Sequence, residues 1–109
     1  MSERMSAASK PTVNEKTFQK QIEDLCKVLG WKYYHTFNSY RSVSGFPDLV
    51  MVRERVVFAE LKSTTGKVST KQQAWLDALR EAGQECYVWF PDDFDEAAKI
   101  LQSKGKPRG

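Results

Sequence analysis

The chain has 109 residues, 40% hydrophobic and 12% aromatic, which suits one compact domain with its own core. A formal net charge of +3 permits a nucleic-acid partner without demonstrating one, because many inert proteins share that balance. No apolar run is long enough to span a membrane, and the head "MSERMSAASKP" lacks the apolar stretch of a secretory signal, so a cytoplasmic protein is expected.

Residues 1–11 read as a flexible polar segment. Phe18, Ile22, Leu25, Cys26 and Leu29 then recur at helical spacing with Gly30 as a stop, which predicts a helix over 12–29. "WKYYHTF", residues 31–37, is aromatic-rich and suits a strand. "NSYRSVSGFP", 38–47, is a loop by composition. "DLVMV" and "RVVFAEL" are two apolar, β-branched runs across a short charged turn, the pattern of a hairpin. Ser69 or Thr70 starts a second helix with Trp75, Leu76, Leu79 and Ala82 on one face, stopped at Gly83. "ECYVWF" is a fourth strand. Pro91 ends it, and "DDFDEAAKIL" is a last helix with Asp92 or Asp93 as its cap. One folded domain over 12–102 and a basic, flexible tail over 103–109 complete the chain.

The order is helix, three strands, helix, strand, helix. Leu49 and Met51 give the hairpin one apolar face, and Val50 and Val52 another, so helices are expected on both faces of the sheet. This is a mixed α/β layered fold. The trio Trp75, Trp89 and Phe90 reads as core. Cys26 and Cys86 have no second Cys or His at metal spacing, which argues against structural zinc; both read as small apolar residues.

Charges inside the hairpin need a reason. Glu60 and Lys62 are two apart on a strand and leave the same face, roughly 6–7 Å apart along the chain. Register decides whether Asp48 joins them. With Arg53, Glu54 and Arg55 as a three-residue turn, Val52 pairs with Val56, Val50 with Phe58 and Asp48 with Glu60, which brings the two carboxylates to about 5 Å. A two-residue turn separates them, and the absence of Gly leaves the turn type open. Two carboxylates that close require a proton or a cation between them. Oxygen ligands suit Mg²⁺ or Mn²⁺, and an ammonium on the same face can hold a water or stabilise an oxyanion. Asp48, Glu60 and Lys62 are thus sufficient for metal-assisted phosphodiester hydrolysis. An ion pair on a wet sheet edge satisfies the same spacing.

"GFPDLV" with "FAELK" resembles the PD-(D/E)XK nuclease signature, and more narrowly that of the VRR-NUC (virus-type replication-repair nuclease) group. The likeness runs from about Glu15 to Leu101 and includes Gly45, Pro47 and Asp48, the Glu60-x-Lys62 pair, the "STKQQAWLDALREAG" helix and "YVWFPDD". It implies a restriction-endonuclease-like mixed central sheet flanked by helices, an α-β-β-β-α-β core with a C-terminal helix added. It implies a Mg²⁺- or Mn²⁺-dependent, structure-specific DNA endonuclease, acting on branched DNA such as Holliday junctions, homodimeric, in the cytoplasm of a bacterial or phage-infected cell. Asp48, Glu60 and the backbone carbonyl of Leu61 would bind the metal, and Lys62 would position the attacking water. A first-helix Glu would complete the site. Glu15, in an "ExxFQ" context on the Phe18/Ile22 face, is preferred to Glu23, although Thr12-x-x-Glu15 also spells a capping box.

Gln72 has a similar double reading: it closes a Ser69-x-x-Gln72 capping box by spacing, yet lies on the buried helix face, and the resemblance makes it a residue supporting the site or touching substrate. For DNA contact the candidates are Tyr40, Arg41, Lys67 and Lys71, with Arg suited to phosphate and Tyr to stacking on an unpaired base. His35 reads as a packed histidine, and Lys16, Lys20 and Lys27 as a solvated stripe. Tyr33, Tyr34 and Val43 are candidate dimer contacts. The alternative function is a non-catalytic DNA-binding or assembly module that keeps the fold.

Overall fold

The computed structural model describes residues 12–37 and 41–105. Helix α1 (Glu15–Leu29) is followed by strands β1 (Lys32–His35), β2 (Leu49–Val52) and β3 (Val56–Leu61), helix α2 (Thr70–Glu81), strand β4 (Glu85–Trp89), a 3₁₀ turn (Pro91–Asp93) and helix α3 (Phe94–Gln102). The sheet runs β1-β2-β3-β4, with β1, β2 and β3 antiparallel in turn and β4 parallel to β3. The parallel step is the crossover through α2.

Helix α1 begins at Glu15 rather than at Thr12. Asn14 is its cap, with a side chain that accepts from Thr17 N–H, so the Thr12/Glu15 capping box does not form. Asn is among the best N-cap residues, and it stands one position before Glu15. Phe18, Ile22 and Cys26, four apart, are fully buried, as are Ala97 and Leu101 of α3. Both helices lie on the sheet face carrying Leu49, Met51, Val57, Ala59 and Leu61, where they form one core with Trp31 and Trp89. Burial pushes the Cys26 thiol up to about 11 and the Cys86 thiol in the same direction, as for small core hydrophobes.

The opposite face is only partly covered. Helix α2 packs against β4 at one side of it. Val50 is half-buried and Val52 is 42% exposed, which corrects the expectation of a hairpin buried on both faces. Trp75 and Phe90 are likewise half-buried; of the trio read as core, Trp89 alone is buried. Trp75 meets Phe46 edge-on at 5.1 Å, and Phe46 meets Phe58 at 6.0 Å. This small aromatic cluster joins α2 to the loop before β2.

Cross-strand pairs are Val52↔Val56, Met51↔Val57, Val50↔Phe58 and Leu49↔Ala59, the register required by a three-residue turn at Arg53–Arg55. Two arginines replace the missing glycine as the reason the turn holds. Arg53 donates to the carbonyls of Leu29 and Ser103, and Arg55 to those of Ile100 and Ser103. These carbonyls lie at or just past the C-terminal ends of α1 and α3, where unpaired acceptors favour cations. Both guanidinium groups also stand over the Trp31 ring, at 4.7 and 5.2 Å, and the Trp31 indole N–H donates to Leu101 O. Arg55 further pairs with Glu85 on β4 at 2.7 Å. Arg53 and Arg55 hold the Glu54 carboxyl down near 2, the Arg53 hydrogen bond being the main cause. Ser103, the first residue of the basic tail, is thus tied to the hairpin turn.

Candidate active site

At the other end of the hairpin the strands part around Asp48. Continuing the β2–β3 register by one step sets Asp48 opposite Glu60. A second step sets Pro47 opposite Leu61, and the chain leaves the sheet there. Asp48 Oδ2 accepts from Leu61 N–H at 2.8 Å. The carboxylate therefore supplies the acceptor that β3 needs where its partner strand ends.

Loop geometry fixes this arrangement. Gly45 has φ +100°, and a Cβ there would lie 2.7 Å from Lys71 O and 3.1 Å from Gln72 N. "GFPD" is thus pressed against the first turn of α2, with buried Pro47 and the Phe46 cluster below it. Gly45→Ala should cost about 1–3 kcal/mol, from the left-handed φ and the backbone clash together, and should disturb the Asp48 contact with Leu61 N–H. Urea unfolding of the variant measures the first effect.

Glu60 is 1% exposed and Lys62 7%, both facing α2. Their charged groups are 3.2 Å apart, and Gln72 joins them: its Nε2 donates to Glu60 Oε2 and its Oε1 accepts from Lys62 Nζ, each at 2.8 Å. The same Oε1 accepts from Ser69 N–H at 2.8 Å, while Ser69 Oγ accepts from Gln72 N–H. Gln72 is therefore a capping residue and a bridge in the site at once. Gly66 turns the following loop back over the Lys62 stem.

Helix α1 reaches the site through its first residues. Val13 N–H donates to Thr64 Oγ1, and Thr64 N–H to Val13 O, which pins the start of α1 beside the segment leaving β3. Burial pushes the Glu15 carboxyl up, Asp48 adds to this, and Lys62 and His35 oppose it. Glu15 thus lies in the field of the site. Glu23 bonds Gln19 on its own helix instead, at 2.8 Å. Among the described residues, however, no group of three or more His, Cys, Asp or Glu side chains is gathered closely enough to hold a metal, so Glu15 does not join Asp48 and Glu60 in a three-carboxylate cluster.

The electrostatics centre on Glu60. Burial is the main cause that raises its carboxyl to about 8, and the Asp48 charge adds to it; Lys62 opposes both without cancelling them. Glu60 Oε1 is buried and makes no hydrogen bond of good geometry among the described residues, although an Asp48 side-chain contact adds to the upward push on the carboxyl.

Other predicted residues fall around this centre. Lys67, Lys71 and Arg41 are exposed, and Tyr40 lies outside the described residues. Tyr34 is 65% exposed and Val43 76%, whereas Tyr33 is partly buried and packs against the core. His35 is half-buried, with its ring 4.7 Å from that of Phe37. Lys16, Lys20 and Lys27 are exposed, and Lys20 pairs with Asp24. Sequence reasoning passed over Thr36, whose N–H donates to Asp48 O; within an aromatic strand its hydroxyl carried no distinguishing signal.

No helix among the described residues is long and apolar enough to cross a membrane. A search of curated proteins gave no match. A solved structure described as a VRR_NUC domain is similar, with a TM-score of 0.68 and 25% identity over 83% of this chain and 96% of that one. The VRR-NUC domain family matches residues 3–89, a span that takes in β1 to β4 together with Asp48, Glu60, Lys62 and Gln72. With most of its length matched and the fold shared, the chain belongs to the VRR-NUC domain family.

Proposed function

We propose that the chain is a Mg²⁺- or Mn²⁺-dependent endodeoxyribonuclease that hydrolyses phosphodiester bonds in branched DNA such as Holliday junctions. The buried Glu60 carboxylate, with its Oε1 lacking a geometric hydrogen bond among the described residues and the Asp48 charge raising it, carries this reading. Such a pair fits a hard divalent cation, which needs oxygen donors and often takes only one or two carboxylates. Asp48, Glu60 and the Leu61 carbonyl would hold it, with Glu15 acting from the rim. When bound, the cation would neutralise the pair and polarise the phosphodiester.

Lys62 has the chemistry to orient a water. One of its three N–H bonds goes to Gln72 and the Glu60 contact takes a second, which leaves a donor to hold the oxygen that attacks. Gln72 fixes the ammonium and the carboxylate relative to each other, so the geometry is set before substrate arrives. Lys67, Lys71 and Arg41 would contact DNA phosphates around this centre, and Tyr40 an unpaired base. Contacts of that kind read shape rather than sequence. A homodimer would present two such sites about a dyad, matching the two-fold symmetry of a junction, with exposed Tyr34 and Val43 as contact candidates. The cytoplasm of a bacterial or phage-infected cell is the proposed setting.

A cleavage assay over flaps, forks and four-way junctions with Mg²⁺ and Mn²⁺ tests this. Metal-dependent nicking near the branch is the expected result. The lack of a three-carboxylate cluster favours a second reading, a DNA-binding or assembly module without catalysis. Junction binding without cleavage in either metal would establish that reading instead.

A further inference from the structure

Asp48 has a polar neighbour on each side of it in the sheet. Thr36 N–H donates to Asp48 O at 2.8 Å, which continues the β1–β2 register one step beyond His35↔Leu49. The β2–β3 register, continued likewise, sets Asp48 opposite Glu60. Directly opposed residues on neighbouring strands point to the same face. Thr36, Asp48 and Glu60 therefore form one row across three strands.

Two buried side-chain polar atoms lack a hydrogen-bond partner among the described residues, Thr36 Oγ1 and Glu60 Oε1. Both belong to this row, one on each side of Asp48. A buried hydroxyl without a partner costs stability, and Val would suit the strand equally well without that cost. One shared ligand between the strands accounts for both unpaired oxygens. Its chemistry follows from its neighbours: two carboxylates exclude an anion and favour a cation. A cation bound by only two carboxylates has room for neutral oxygen donors, and threonine hydroxyls serve in that way on Mg²⁺.

We propose that Thr36 is a further oxygen donor of the divalent-cation site, touching the cation directly or through one water. This rests on the metal-dependent reading given above.

Thr36→Val and Thr36→Ser test it, because Val keeps the shape and Ser keeps the hydroxyl. Calorimetric titration of the DNA-free protein with Mn²⁺ should show Thr36→Val weakened roughly 10- to 100-fold and Thr36→Ser close to wild type. Metal-free Tm of Thr36→Val should equal or exceed that of wild type, since an unpaired buried hydroxyl is removed. Wild-type Mn²⁺ affinity in Thr36→Val would overturn the assignment and leave the carboxylate site standing. A metal-free Tm that falls in Thr36→Val would overturn it in favour of a structural hydroxyl. Absence of Mn²⁺ binding by the wild-type protein would overturn the cation site itself, and the role of Thr36 with it.

Discussion

Asp48→Asn should lower metal-dependent cleavage about a thousandfold or more, while junction binding and fold persist. Under the proposed function, the figure follows from losing a charged cation ligand, worth several kcal/mol in the transition state at 1.36 kcal/mol per tenfold. The choice of Asn matters. Asp48 Oδ2 accepts from Leu61 N–H, and an amide oxygen can still do so. Ala cannot, and would orphan a backbone donor at a cost of about 1–3 kcal/mol. Loss of activity in Asp48→Ala would therefore mix two effects that Asp48→Asn separates. Single-turnover cleavage, alongside a gel-shift and a melting curve, checks the prediction. An active Asp48→Asn would show that the carboxylate serves β3 rather than chemistry.

The second large effect is on stability, through Glu60. Its carboxyl sits at about 8 when folded, against 4.5 ordinarily. A group whose folded pKa is raised stabilises the fold below its unfolded pKa, and that contribution is lost as pH rises through the folded value. Metal-free protein should accordingly lose stability between pH 4.5 and 8, by an amount on the order of 3–5 kcal/mol before relaxation reduces it. Glu60→Gln should flatten that slope. A cation that binds ionised Glu60 opposes the loss, so Mn²⁺ should raise Tm more at pH 8 than at pH 5. Melting curves at both pH values, with and without Mn²⁺, decide the matter. A metal effect independent of pH would count against Glu60 as a ligand.

The sequence carried the hairpin register because strand side chains alternate. Once three residues are assigned to the turn, the Asp48/Glu60 pairing follows without further information. What justified three residues was not legible. Arg53 and Arg55 are anchored by carbonyls of α1 and of the segment after α3, contacts distant in sequence. The double duty of Gln72 was visible as an ambiguity, since one spacing served two purposes; only the positions of Ser69, Lys62 and Glu60 around it showed that both are met. Exposure of Val52 and of part of Trp75 escaped prediction because β-branched and aromatic residues suit a pleated surface whether or not a helix covers it. Asn14 was hidden by a rival signal, the Thr12/Glu15 spacing, whose residues fit a cap equally well on paper.

Gln72 Oε1 serves two donors, the first turn of α2 and the Lys62 ammonium. Helix ends fray at free energies far below that of global melting. Each time this one opens, Lys62 and Glu60 lose their common tether, though the core beneath α1 and α3 is untouched. Warming should thus switch the site off while the molecule is still folded, so that its working range ends below its melting temperature. The temperature at which the proposed cleavage fails would then report the endurance of a single helical turn.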